Sequence, residues 1–259
     1  MSSATGATEP APLLRPVRWE LGTVAGKVRE AATACTLVLD VPGWPGHRAG
    51  QHLDVRLTAP DGYQTERSYS VSSAPEDPRV SITVERLEDG EVSSYLVDEL
   101  RDGDQLELRG PIGGWFTWQA SDGGPLLLIA GGSGLAPLMA MIRHRAAAGS
   151  HAPTRLLVSA RGADDLLYSR ELDELAAADP ALETSFTLTR SPPEGWTGYA
   201  RRVDLEMLRQ VAFDPSERPH AFVCGPTGFV EQVAELLVEL GLDPARVKTE
   251  RFGPSGGTA

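Results

Sequence analysis

The chain has 259 residues, enough to bury a proper core in one or two domains, and no apolar run approaches the ~20 residues of a membrane span. Its formal charge of −12 excludes a general nucleic-acid binder, which needs a basic face. The two cysteines, Cys35 and Cys224, lie in different halves and form no C-x-x-C pair, which excludes a cysteine-held iron–sulfur cluster on this chain and implies a reducing cytoplasm.

Residues 1–16 are rich in Ser, Ala, Thr, Gly and Pro, lack the basic-then-apolar order of a secretory signal, and read as a loose tail. Residues 17–118 read as β-rich. Strands are expected at 19–28, 33–41, 52–57, 68–72, 80–85 and 105–108, with a Pro- and Gly-rich connection over 44–50. In the third of these, Leu53, Val55 and Leu57 alternate onto one face. A short helix is expected over 92–100, with Tyr95, Leu96 and Leu100 inward. Short strands with one helix suit a six-stranded antiparallel barrel.

Residues 119–124 read as a linker, and from 125 to 259 strand and helix alternate. Strands are expected at 126–130, 156–160, 184–189, 221–224 and 246–252, and helices at 135–148, 169–178, 204–211 and 227–240. Alternating βα units imply a parallel sheet covered on both faces.

The strongest single motif opens this second half. The apolar run 126–130 is followed by Gly132-Ser133-Gly134-Leu135-Ala136-Pro137, a G-x-G-x-x-P turn into an amphipathic helix. Strand, glycine turn and helix place a helix N-terminus against a phosphate, and Pro137 is tolerated in the first turn because its missing N–H has no intrahelical partner there. Arg67-Ser68-Tyr69-Ser70 alternates on a barrel strand, which puts a guanidinium and a phenol on one face, the pairing a nucleotide-like cofactor requires. Gly90-Glu91-Val92-Ser93-Ser94 is a glycine turn into the short helix, whose N–H groups and hydroxyls suit a pyrophosphate. Residues 110–116 contain three glycines and read as a strand-end turn. Cys224-Gly225-Pro226 ends a buried strand at the carboxyl edge of the sheet, where open α/β sheets bind ligands.

Ser159 and Arg161 end the second strand of the sheet, and Tyr168, Ser169 and Arg170 begin the next helix. An Arg at that place suits the 2′-phosphate of NADP, whereas an acid suits the 2′-hydroxyl of NAD; Asp164 and Asp165 lie in the loop rather than at the strand end. Glu250 and Phe252 stand two apart on the last strand. The five histidines show neither metal-ligand spacing nor a nucleophile partner, and His144, on an Arg-rich helix face, reads as solvated.

Taken in order, R-x-Y-S, G-x-x-S, G-G-x-G-x-x-P and C-G-P resemble the ferredoxin–NADP reductase superfamily over about residues 17–252. The resemblance implies a flavin-binding antiparallel barrel followed by a parallel α/β nucleotide-binding domain, and a flavoprotein that passes a hydride from NAD(P)H to FAD. By the same resemblance Arg67 holds a flavin phosphate, Tyr69 packs on the isoalloxazine, Ser70 hydrogen-bonds near N5, and Ser68 and Val84 line the flavin site. Gly90, Val92, Ser93 and Ser94 hold the FAD pyrophosphate. Gly132, Ser133 and Gly134 receive the NAD(P)H pyrophosphate, with Pro137 shaping the turn, and Cys224, Gly225 and Pro226 approach the nicotinamide. Glu250 and Phe252 correspond to the C-terminal acid and aromatic of plant-type members, but here the chain runs on through a glycine-rich stretch to Ala259, as in stand-alone bacterial reductases.

Ser70, Cys224 and Glu250 form the expected catalytic set, and Ser159, Arg161 and Arg170 the expected adenosine-end contacts, favouring NADPH with NADH possible. The implied partner is a separate electron acceptor, an iron–sulfur protein of the ferredoxin or oxygenase type, for which Arg201-Arg202 offers a local basic spot. Alternatives are a small acceptor such as a ferric chelate or quinone, or a non-catalytic flavin-binding regulatory subunit.

Overall fold

A computed structural model describes residues 17–253; the expected N-terminal tail and the stretch after Gly253 lie outside them. The first half is a six-stranded antiparallel sheet in the order β4-β3-β6-β1-β2-β5. Its strands are β1 Trp19–Ala31, β2 Ala34–Asp40, β3 His52–Thr58, β4 Gln64–Ser70, β5 Val80–Glu85 and β6 Gln105–Ile112. The two edge strands meet where the chain leaves β4: Val71 bridges Ile82, and Ser72 N–H donates to Ser81 O at 2.7 Å, closing the sheet into a barrel. Val24, Leu37, Leu39, Leu53, Val55, Ile82 and Leu108 fill it, each exposed by 1% or less.

Two elements differ from the sequence reading for physical reasons. The fourth strand begins at Gln64 rather than at residue 68. Its first residues are polar because they lie on the sheet edge, yet they pair fully with β3, from Thr58↔Gln64 to His52↔Ser70. The expected helix over 92–100 is a four-residue α turn, α1 Glu91–Ser94, that widens into a π turn over Tyr95–Glu99. The widening lets Leu96, Val97 and Leu100 all reach the barrel core.

The second half is a five-stranded parallel sheet in the order β11-β10-β7-β8-β9. Its elements are β7 Leu126–Gly131, α2 Leu135–Ala147, β8 Thr154–Gly162, α3 Ser169–Ala178, β9 Leu182–Ser191, α4 Leu205–Val211, β10 His220–Pro226, α5 Thr227–Glu239 and β11 Val247–Phe252. The continuous apolar run of β7 serves both faces. Leu126, Leu128 and Ala130 pack with α2 and α3, while Leu127 and Ile129 pack with α4 and α5. The layer under α2 also takes in Ala34, Ala49, Phe116 and Trp118, so one apolar core runs from the barrel into the α/β half.

The expected linker is itself structured. It holds a 3₁₀ turn, Ala120–Asp122, in which Asp122 Oδ2 accepts from Gln119 N–H at 2.9 Å. His144 of α2 anchors it rather than facing solvent: its Nε2 accepts from Ala120 N–H at 3.1 Å, its Nδ1 lies 2.7 Å from Glu76 Oε1, and its ring meets Trp118 edge-on. Among the described residues no helix is long and apolar enough to cross a membrane.

The strand order reverses between β7 and β10, and the turns that follow those two strands touch. A Cβ built on Gly134 would lie 2.2 Å from the carbonyl oxygen of Cys224 and 2.7 Å from Gly225 N. Gly134→Ala must therefore force the two turns apart. We expect it to lower stability by about 1–3 kcal/mol, as overpacking does, with the midpoint of urea unfolding as the measurement; an unchanged midpoint would mean that the turns part at no cost.

Candidate functional site

A reversal of strand order leaves a crevice at the carboxyl ends of the strands, and this is where open α/β sheets take ligands. Both glycine-bearing turns of the second half open onto it. On one side, Gly132–Gly134 makes a 3₁₀ turn that runs directly into α2. Gly132 has φ +56°, a conformation that other L-residues rarely adopt. No side chain caps α2, so its first N–H groups remain available to an anion. The turn lies against the barrel, with Glu85 Oε2 of β5 3.6 Å from the position of a Gly132 Cβ.

On the other side stands Cys224, 1% exposed and on the sheet face toward α2 and the barrel. Burial pushes its thiol pKa well above the ordinary value, and the neighbouring Glu250 pushes in the same direction, so the thiol stays protonated and uncharged. Cys224 pairs with Ala130 on one side and Glu250 on the other, which puts these three side chains in one row on the same face. Burial also raises the carboxyl pKa of Glu250; the Ser70 hydroxyl, donating to Glu250 Oε1 at 3.1 Å, pulls the other way. That bond joins the barrel to the sheet. All three residues of the expected catalytic set thus converge, although 180 positions separate Ser70 from Glu250.

Ser70 ends the barrel strand that carries the rest of its motif. Arg67 lies opposite Val55 and Tyr69 opposite Leu53, so strand alternation keeps both on the face of those core residues. Tyr69 packs half-buried on the barrel core, and burial raises its phenol pKa. Arg67 reaches the surface, where its guanidinium donates to Glu66 O at 2.7 Å and forms no ion pair among the described residues. Ser68 points to the other face and donates to Asp54 Oδ1 at 2.6 Å; Arg109 holds the remaining oxygen of Asp54 at 2.6 Å. Val84 is fully buried opposite Cys35 in the barrel core and has no surface to present.

At the second glycine turn the hydroxyls do not face outward as expected. Ser93 Oγ accepts from Leu87 N–H at 3.1 Å and donates to Gly90 O at 3.2 Å, while Ser94 Oγ donates to Leu87 O at 3.4 Å. They shape the turn, Val92 is buried beneath it, and backbone N–H groups are what it offers an anion.

The adenosine-end set is only partly assembled. Ser159, 9% exposed, sits beside Gly131, and Arg161 is exposed one step beyond Ala160. Arg170 is committed to Glu174 at 2.8 Å. Tyr168 is 3% exposed and its hydroxyl meets Thr83 Oγ1 of the barrel. Asp165 caps its own turn by accepting from Gly162 N–H at 3.0 Å.

Arg190, which no sequence motif marks, also stands at this edge. A bulge between Ala160↔Leu188 and Gly162↔Ser191 sets Thr189 and Arg190 across from Arg161. A basic residue at the end of the next parallel strand was the available signal. At the opposite edge of the sheet, Gly225 is buried, Pro226 caps α5, and Phe252 is 36% exposed beside Pro226. The expected basic spot at 201–202 is half spent, because Arg201 pairs with Asp204 at 2.6 Å.

Known proteins share this arrangement. Residues 33–117 match the oxidoreductase FAD-binding domain family and residues 128–235 the oxidoreductase NAD-binding domain family. Ferredoxin–NADP reductase B of Sorangium cellulosum is 36% identical over 211 residues, which are 79% of this chain and 84% of that protein. The glycine betaine monooxygenase reductase subunit of Pseudomonas aeruginosa is 34% identical over 210 residues, 80% of this chain. The match takes in only 57% of that subunit's length. Among solved structures, the flavohem-like FAD/NAD-binding domain of nitric oxide dioxygenase from Vibrio cholerae has a TM-score of 0.81 at 25% identity, covering 91% of this chain and 99% of that one. An FAD-binding barrel joined to an NAD-binding parallel sheet, with a ferredoxin–NADP reductase aligned through most of its length, places this chain in the ferredoxin–NADP reductase superfamily of oxidoreductases.

Proposed function

We propose that the protein takes a hydride from a reduced nicotinamide dinucleotide, NADPH in preference to NADH, and delivers electrons through FAD to a separate iron–sulfur protein of the ferredoxin or oxygenase type. The observation that carries this reading is the meeting of Ser70, Cys224 and Glu250 where the barrel faces the switch point of the sheet. The names of the two relatives, a ferredoxin–NADP reductase and a monooxygenase reductase subunit, support the acceptor class. Two buried cysteines with no disulfide are consistent with a cytoplasmic setting. We assign residues 17–118 to the flavin half and 125–259 to the nicotinamide half, with 119–124 between them.

When bound, the nicotinamide supplies the hydride and the flavin accepts it and passes the electrons on singly. The protein's residues bind, orient and exclude water. Arg67 and the N–H groups of the Gly90 turn would hold the flavin phosphates, and Tyr69 offers a neutral aromatic surface. The uncapped start of α2 would hold the coenzyme pyrophosphate. Cys224 is too buried and too firmly protonated to carry a proton, so its part is to shape the floor of the crevice. Ser70 and Glu250 span the two halves and can fix the ring that enters between them.

The reading predicts that the purified protein releases FAD on denaturation, and that the bound flavin is bleached by NADPH in anaerobic stopped flow and reoxidised by a [2Fe–2S] ferredoxin. Release of FMN, or a flavin that neither coenzyme reduces, would overturn it; reoxidation by ferric citrate or a quinone alone would move the acceptor to a small molecule.

Coenzyme choice rests on Ser159 and Arg161. A hydrogen bond to a charged group contributes about 1.5–3 kcal/mol, so Arg161→Ala should cost NADPH roughly ten- to a hundredfold in kcat/KM. NADH, which has no 2′-phosphate, should be little affected. Equal losses for both coenzymes would show that Arg161 does not read the phosphate.

The buried carboxyl of Glu250 has a stability signature of its own. A raised folded-state pKa means that the fold prefers the protonated form. Stability must then fall as pH rises from the unfolded value, about 4.3, towards the folded one. Glu250→Gln keeps the shape and removes the charge. The flavin-free variant should be more stable than the parent to urea at neutral pH, with the gap narrowing on acidification; parallel pH profiles would refute this.

A further inference from the structure

Tyr168 has no part in the site described so far, yet its backbone is one of two non-glycine positions with positive φ among the described residues. It sits just before α3 with φ +54°, in the left-handed region, and is 3% exposed while Ser169 and Arg170 beside it face solvent. A non-glycine residue stays in that conformation only when its surroundings hold it there. The apolar core under α2 and α3 holds its ring, and the barrel holds its hydroxyl.

Its hydroxyl meets Thr83 Oγ1 on β5. Thr83 Oγ1 lies 2.8 Å from Thr36 Oγ1 on β2, and Thr36 Oγ1 donates to Glu30 Oε1 on β1 at 2.6 Å. A carboxylate only accepts, so the Thr36 proton is committed to Glu30. Thr83 Oγ1 donates to Ser72 Oγ at 3.3 Å, with Thr36 Oγ1 as a second acceptor for its one proton, so Thr83 accepts from Tyr168. The hydrogen bonds connect α3 across the boundary to three barrel strands and to Ser72 on the rim, and Thr36 and Thr83 are each 5% exposed.

Arg143 of α2 closes the arrangement. Its guanidinium carbon is 5.1 Å from the centre of the Tyr168 ring, its Nη1 donates to Ser72 O at 2.6 Å, and its Nε and Nη2 hold Glu171 at 2.7 and 2.6 Å. Ser72 and Thr83 belong to the rim where the barrel closes, and Ser70 stands two residues before Ser72 on the same rim. Whatever fixes Ser72 and Thr83 against the second half also fixes where Ser70 meets Glu250.

We infer that Tyr168 is a positioning residue: through its hydroxyl bond to Thr83 it sets the distance between the flavin-binding rim and the nicotinamide-binding edge, and so the rate of hydride transfer, without touching either cofactor. The inference rests on the function proposed above, and the experiment separates the two. The FAD-loaded parent is compared with Tyr168→Phe, Thr83→Val and the double variant. Three quantities are measured: affinity for ADP-ribose, which both coenzymes contain; flavin reduction across an NADPH and NADH series; and amide hydrogen exchange in β5 without coenzyme.

Each single variant should keep its FAD and its ADP-ribose affinity, exchange faster in β5, and reduce flavin roughly tenfold more slowly at saturating coenzyme with little change in KM, since small misplacements of reacting groups are costly. The double variant should be no slower than Thr83→Val, which removes the Tyr168 bond together with the Thr83 bonds to Thr36 and Ser72. An unchanged saturating rate, a loss confined to KM and ADP-ribose affinity, or additive losses would each overturn the inference. Should Tyr168→Phe fold poorly, Thr83→Val decides alone. If neither coenzyme reduces the parent, the proposed function falls; β5 exchange then decides whether Tyr168 ties the halves, and unaltered exchange would overturn that tie as well.

Discussion

The backbone of Gly134 rests against the carbonyl of Cys224, and the site follows from that contact. It joins the turn after β7 to the turn after β10 on either side of the switch point, so the start of α2 and the Cys224 row share one crevice. The approach is possible only without a side chain at Gly134. Once it is made, the parallel register carries the arrangement sideways: Ala130 fixes Cys224, Cys224 fixes Glu250, and Glu250 meets Ser70. Each step is a backbone pairing or a single hydrogen bond, and all of them depend on both sheet faces being covered, which the alternation of Leu126 to Ala130 secures.

The two halves hold each other unequally along their boundary. At the β11 edge the polar ties are Ser70 to Glu250 and Lys248 Nζ to Thr117 O at 3.0 Å. At the α2–α3 side stand Arg143 on Ser72, Tyr168 on Thr83 and His144 on Glu76, beneath an apolar layer that includes Phe116 and Trp118. A hydrogen bond between ordinary groups contributes about 0.5–1.5 kcal/mol net, one to a charged group about 1.5–3. The α2–α3 side therefore carries more of the polar ties between the halves than the Glu250 side. A flat ring entering beside Ser70 and Glu250 has one hydrogen bond to displace, whereas entry beside Tyr168 would have to undo a buried network.

The architecture was readable because it rests on patterns of one or two periods. The apolar run of β7 and the strict alternation in β3 each have a single structural solution, and the two glycine turns sit where a strand must become a helix. Polar strand ends were hidden: nothing in Gln64-Thr65-Glu66-Arg67 separates an edge strand from a loop until β3 is there to pair with. Motif order points to the proposed catalytic set, but the hydrogen bond from Ser70 to Glu250 spans 180 positions and has no local signal. On their own helices His144, Tyr168 and the Ser93 hydroxyl look like solvent- or ligand-facing groups, but tertiary contacts claim His144 and Tyr168, and the local turn at Leu87 claims Ser93. Side-chain type at a helix start says that a hydrogen bond will form, not with what.

Charge shows the same dependence on context. A chain with net charge −12 is a poor general host for anions, yet both proposed cofactors are anionic. Several of its arginines are already engaged: Arg56 with Glu107, Arg109 with Asp54, Arg143 with Glu171, Arg145 with Asp179 and Arg201 with Asp204, all at 2.6 Å. Arg67, Arg161 and Arg190 form no ion pair among the described residues, and they stand on the flavin-motif strand and at the ends of β8 and β9. An arginine that already holds a carboxylate must give it up to bind a phosphate, whereas one without a partner gains a charge-assisted bond outright. Over the few ångströms of a bound ligand the local field outweighs net charge, which screening weakens beyond about 8 Å at physiological salt. On the proposed function, anion binding by this acidic protein depends on where the fold places its unmatched arginines, not on how many it has.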